Sequence, residues 1–172
     1  RRGPGERTAA PPVGVKFLYA QPQGVKRLGK KLPLCRMIIE AQKGEVFYAD
    51  FDNHDCVGPY PLGMCDVDPF SWSGQIGPTI DCFDQARANV QIYQNNPRLV
   101  RGTCNFQAFA PLDKLEFDPD VLVIYGTQRQ MEIVLRSMTW TTGQLYEGKQ
   151  SSVMGCAWEI VYPYISQKIN YL

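Results

Sequence analysis

Apolar positions recur along the chain in two rhythms, one helical and one extended. Between Leu34 and Gln42 they fall at 34, 37, 38 and 41, the spacing that lines one face of a helix. Gly44 follows where a helix C-cap belongs. Val13-Gly14-Val15-Lys16-Phe17-Leu18-Tyr19 is β-rich, comes after a proline pair and predicts a strand. Residues 45–50 predict a second strand. Phe83, Ala86, Val90 and Tyr93 share one face of a helix over 84–93, which Asn95-Asn96-Pro97 ends. Residues 106–112 alternate weakly and read as a strand. Asp118-Pro119-Asp120 reads as a turn. The continuous apolar run at 121–126 predicts a central strand buried on both faces. Thr127 suits the N-cap of a helix over 128–138, with apolar positions 131, 134, 135 and 138. A weaker strand or hairpin falls at 144–154. A last helix falls at 155–164, and Pro163 inside it should kink or end it.

The pattern dissolves between residues 50 and 78. Glycines, prolines and an Asn-His-Asp-Cys cluster interrupt it too often for regular structure to run far, beyond one short helical turn near 61–65. A long loop inside a compact domain is usually functional or mobile. Residues 1–10 read as a flexible arm and 11–172 as one domain. Strands and helices interleave without strict alternation. The expected class is therefore α+β, a mixed β-sheet with several flanking helices.

Composition adds limits. The 172 residues carry 18 Lys and Arg against 17 Asp and Glu, a formal net charge of +1. That balance gives no reason to expect nucleic acid or an anionic membrane as partner. No apolar run approaches the roughly 18 residues of a membrane-spanning helix. The basic N-terminus lacks the apolar stretch of a secretory signal. A cytoplasmic protein with reduced thiols is the expectation, without a disulfide network, although the six cysteines are even in number.

Candidate chemistry is sparse. The sequence has no phosphate-binding glycine loop, no dinucleotide fingerprint, no HExxH, no GxSxG and no CxxC pair. The one histidine, His54, sits with Cys56 in the breaker-rich loop, and Cys65 follows nearby. Imidazole and thiols on a glycine-rich backbone can hold zinc or an iron–sulfur cluster. The plainer alternative is a solvated turn with small buried cysteines. Cys35 and Cys156 each open an expected helix, where the positive end should lower a thiol pKa. Gly126-Thr127 marks a strand-to-helix junction of the kind that borders ligand crevices.

These residues also resemble a known family. Pro11-Pro12-Val13-Gly14-Val15-Lys16, the helix around Cys35, Asn53-His54-Asp55-Cys56 with Gly58, and Leu62-Gly63 are similar to the group catalogued as domain of unknown function 169. So are Pro111-Leu112, Phe117-Asp118-Pro119-Asp120-Val121, the Gln130-Met131 helix, Thr142-Gly143 and Cys156-Ala157. The resemblance implies an intracellular protein of a group common in archaea and anaerobic bacteria, with no established reaction. It implies that Cys35, Cys56 and Cys156 occupy recurring cysteine positions. It also implies a family domain that continues past residue 172.

The leading expectation is a redox or metal-cofactor protein. Cys35, Cys56 and Cys156 would bind an iron–sulfur cluster or zinc, with His54 or Cys65 as fourth ligand. One alternative is a non-catalytic binding or accessory subunit with structural cysteines and no cofactor. Another is an enzyme with a single reactive cysteine and no metal. No catalytic residue is assigned. A protein partner or a homo-oligomer is compatible with either class.

Overall fold

The computed structural model describes residues 10–171, so the N-terminal arm expected at 1–10 lies almost wholly outside the described residues. Strand β1 (Val13–Leu18), helix α1 (Leu34–Gln42) and strand β2 (Phe47–Asp50) come first. A 3-10 turn at Phe51–Asn53 follows β2. Three helices come next: α2 (Pro69–Trp72), α3 (Ile76–Thr79) and α4 (Ala86–Asn95). Strand β3 (Phe106–Pro111), strand β4 (Val121–Val123) and helix α5 (Gln128–Thr139) continue the chain. A π-helical segment at Ala157–Val161 leads directly into helix α6 (Tyr162–Ser166).

The four strands form one sheet in the order β2-β3-β1-β4. All the strand pairings among the described residues are antiparallel, and parallel pairing survives there only as two isolated bridges, Arg27 with Tyr48 and Leu32 with His54. The architecture is α+β. Helix α1 lies on the face presented by Val13, Val15, Phe47, Ala49 and Phe109. It buries Leu34, Met37, Ile38 and Ala41, the four positions its periodicity marks. Each large side chain so buried stabilises the fold by roughly 1.5–3 kcal/mol. Ile160 and Val161 from the π-segment close the same core. On the other face the chain crosses Gly14. A Cβ there would stand 2.5 Å from the tip of the Leu115 side chain and 3.2 Å from Pro119 Cβ, so a larger residue would push Leu115 aside.

Several expectations change in three dimensions. The apolar run at 121–126 is not a central strand. β4 is a three-residue edge strand, and Leu122 is exposed. β1 and β3 are central instead. Residues 144–154 carry no strand or hairpin. The breaker-rich stretch holds the short helices α2 and α3, started at Asp68, which accepts from Ser71 N, and at Gln75. Pro163 does not end the last helix. The helix widens to π geometry just before it, which relieves the clash of the ring with the carbonyl four residues back. The Asp118-Pro119-Asp120 turn is structural: Asp120 accepts a 2.7 Å bond from the Phe17 amide and Asp118 O accepts from Lys16.

Candidate functional site

Three cysteines far apart in sequence converge at one edge of the core. Cys35 stands on the first turn of α1, Cys56 on the loop after the 3-10 turn, and Cys156 at the entry to the π-segment. Each lies in the field of the others. The sulfurs of Cys35 and Cys56 both bear on Cys156, and Cys35 bears on Cys56. Burial, reinforced by the two sulfurs and by Glu159, pushes the Cys156 thiol up to about 12. The lowered pKa expected of a thiol at a helix start is thus overturned for Cys156. Desolvation outweighs the helix dipole there.

The free amides of α1 serve a different sulfur from the one the sequence suggests. Pro33 at the N-cap provides no side-chain cap. Instead the Leu34 amide donates to Cys56 Sγ at 3.4 Å, and the Gly58 amide donates to the same sulfur at 3.2 Å. These two bonds favour thiolate. Shielding of the sulfur by protein outweighs them, and the Cys56 thiol is also raised.

His54 is held beside Cys56 of this trio. Residues 28–33 run alongside 48–55: the Leu32 amide donates to Asn53 O at 2.8 Å, and Asn53 Nδ2 donates to the carbonyls of Leu28 and Lys30. His54 is 8% exposed, so the solvated turn is not what forms. Its Nε2 lies 3.0 Å from Oε1 of Gln107, while its Nδ1 is buried without a partner. Burial lowers its pKa, which keeps the ring neutral near pH 7.

Opposite, Tyr125 donates a 3.0 Å hydrogen bond to Glu159 Oε2. Tyr125 is 37% exposed, yet protein around its hydroxyl and the Glu159 carboxylate push that hydroxyl well above its ordinary range, and Cys35 and Cys156 add to the effect. Tyr125 stands just after β4, at the Gly126-Thr127 junction singled out in the sequence.

Cys65 is not part of this group. The charges that bear on it are Arg101, Arg98, Asp66 and Asp68, and it packs against the smaller cluster of Tyr60, Tyr93, Met154 and Ala157. All six cysteines are free thiols; Cys82 is exposed and Cys104 buried. Among the described residues, no three His, Cys, Asp or Glu side chains stand grouped tightly enough to hold a metal ion as placed. The sequence reading missed Gln107, Tyr125 and Glu159. Only Gln107 left a signal: it is polar and in phase with Phe109 on the buried face of β3.

A search of curated proteins and a search of solved structures each found no match. The family DUF169, described as "Uncharacterised ArCR", matches residues 7–172 and so spans the sheet, the loop with His54 and Cys56, and the segment with Cys156. With nearly the whole chain covered, the protein belongs to the DUF169 family.

Proposed function

We propose that this is a metal-cofactor protein whose site is the trio Cys35, Cys56 and Cys156, taking a thiophilic metal ion or an iron–sulfur cluster. The observation that carries this reading is the convergence of three thiols from remote segments. Beyond burial, the largest influences on Cys156 are the two sulfurs and Glu159, and each of these raises its pKa. Without a metal the raised Cys56 and Cys156 thiols stay protonated and are poor nucleophiles at neutral pH, which argues against either as a lone reactive cysteine. A metal ion converts their mutual repulsion into attraction and deprotonates them outright. A cluster would supply electron transfer or an open iron, and zinc would supply a Lewis acid. Closing a ligand shell requires these side chains to move closer together than they stand.

The test is anaerobic purification followed by metal and acid-labile sulfide analysis. Metal in stoichiometric amount, lost in Cys156→Ser, supports the reading, and sulfide separates cluster from single ion. Protein that is metal-free from anaerobic cells and takes up neither zinc nor reconstituted cluster would refute it.

A second reading, an accessory subunit, rests on α5. None of its residues is buried, and Trp140 beside it is 88% exposed. Light scattering on the purified chain and on Ile133→Glu decides whether that face pairs in solution. The two readings are compatible.

A further inference from the structure

We propose that His54 is a metal ligand through Nδ1, and that Gln107 is the residue that positions it by fixing its tautomer. The inference rests on the thiolate site proposed above and goes beyond it by naming a residue outside any motif.

Gln107 lies on the core face of β3, wholly buried. Its amide has two ends and different neighbours at each. One end faces His54 Nε2; the other faces Cys104 Sγ at 3.3 Å and Met64 Sδ at 3.5 Å. A thioether sulfur has no proton to give. The Cys104 thiol points its donor to Phe106 O at 3.4 Å. A Gln107 oxygen turned towards the sulfurs would therefore find no donor. The NH2 group belongs there, and Oε1 belongs on the histidine. His54 must then carry its proton on Nε2, which leaves Nδ1 as a bare lone pair.

That lone pair is buried and unpartnered. The point where a Cβ on Gly58 would sit is 3.2 Å from His54 Nδ1, 3.1 Å from Cys56 Sγ and 3.1 Å from Leu34 Cβ. The missing side chain at Gly58 thus lets the imidazole nitrogen and the sulfur close in on the same point. Cys35 follows Leu34 on α1. A buried orphan acceptor is costly and calls for a partner, an ordered water or a bound ion; the sulfur beside this one favours the ion. Histidines that bind metals through one nitrogen donate the other ring N–H to an oxygen acceptor, and that acceptor governs affinity. Gln107 Oε1 occupies that position.

The test uses the full chain, stripped of metal and reduced under anaerobic conditions, with cobalt(II) alone as probe. Sulfur-to-cobalt charge-transfer bands report thiolate ligands, and the visible d–d bands report the fourth donor. Wild type should show both. His54→Ala should keep the charge-transfer bands, shift the d–d bands and bind more weakly. Gln107→Met, which cannot accept, should lose about 10–100-fold in affinity, and Gln107→Glu, which can, should recover most of it. Should Gln107→Met not fold, NMR of the imidazole nitrogens in wild type decides alone, because His54 is the sole histidine. The expected result is an Nε2–H tautomer without metal and coupling from Nδ1 to bound cadmium. Charge-transfer bands in wild type with unchanged d–d bands and affinity in His54→Ala would overturn this inference and leave the thiolate site standing. No charge-transfer bands in wild type would remove both.

Discussion

Gly58 shows how one missing side chain shapes the candidate site. Its hydrogen faces Cys56, His54 and Leu34 at distances tighter than ordinary van der Waals contact for a carbon. Gly58→Ala should therefore displace either the imidazole or the sulfur. We expect a modest stability loss, about 1–3 kcal/mol in urea unfolding, together with loss of metal uptake. Retained uptake at wild-type affinity would mean that the close approach at Gly58 plays no part. The pH dependence at this scale has a definite sign. His54 is lowered by burial, so the unfolded chain binds a proton more readily than the folded one. Its contribution is complete above the ordinary histidine range of about 6.5 and is lost as pH falls through and below it. The stability of His54→Gln should lose that acid-side slope.

Cysteine reactivity extends the residue-scale argument. Cys35, Cys56 and Cys82 are exposed, though the Cys56 thiol is raised, whereas Cys104 is buried and burial pushes its thiol to about 11. In metal-free protein, a thiol reagent followed by mass spectrometry should modify Cys35 and Cys82 first and Cys104 last. Metal should protect Cys35 but not Cys82. Equal rates at these two with metal bound would place Cys35 outside the site.

At the scale of elements, α1 and α5 make a pair of opposites. Both show helical periodicity, and α5 has the better cap: Thr127 accepts from Gln130 N and the Gln130 side chain accepts from Thr127 N. Yet α1 buries four residues in the core and α5 buries none. Ile38→Ala should therefore cost about 2–5 kcal/mol. Thr127→Ala should fray α5, seen as faster amide exchange at 128–131, while leaving the urea midpoint nearly unchanged. A large shift in that midpoint would mean that α5 packs in solution against something that stabilises the whole fold. The apolar positions of a helix identify its sticky face. They do not identify the surface that receives it, and this is why α5 could not be ranked against α1 from sequence.

The same limit explains β4. A continuous apolar run is compatible with any strand covered on both sides. Whether it lies centrally depends on which strands flank it, and pairing is a long-range property. β4 pairs only with β1, through Val13, Gly14 and Val15. The last helix is instructive in another way. Pro163 marks the right place, but the chain answers with a π-turn before it, and that turn helps set where Cys156 and Glu159 stand relative to Tyr125.

For the whole molecule, alkaline stability should report the thiol cluster. Burial and neighbouring sulfurs raise Cys156 to about 12, so the folded chain resists losing a proton that the unfolded chain gives up near the ordinary thiol value. Stability should fall as pH rises from about 9 towards 12, and Cys156→Ala should flatten that fall.

What the sequence determined by itself is local. The periodicity at 34, 37, 38 and 41, the strand formers of β1 and β3, and the Thr127 cap each follow from interactions within a few residues. Cys35, Cys56 and Cys156 were singled out by helix starts, loop chemistry and resemblance, and that much could be read from type and position. Only the tertiary structure decided which sulfur receives the α1 amides, that Cys65 faces arginines instead of the trio, and that Gln107 reaches His54 across 53 residues of chain. Those contacts join β3, α1 and the loop after β2. No local rule contains them, because they exist only once the sheet has paired and the core has closed.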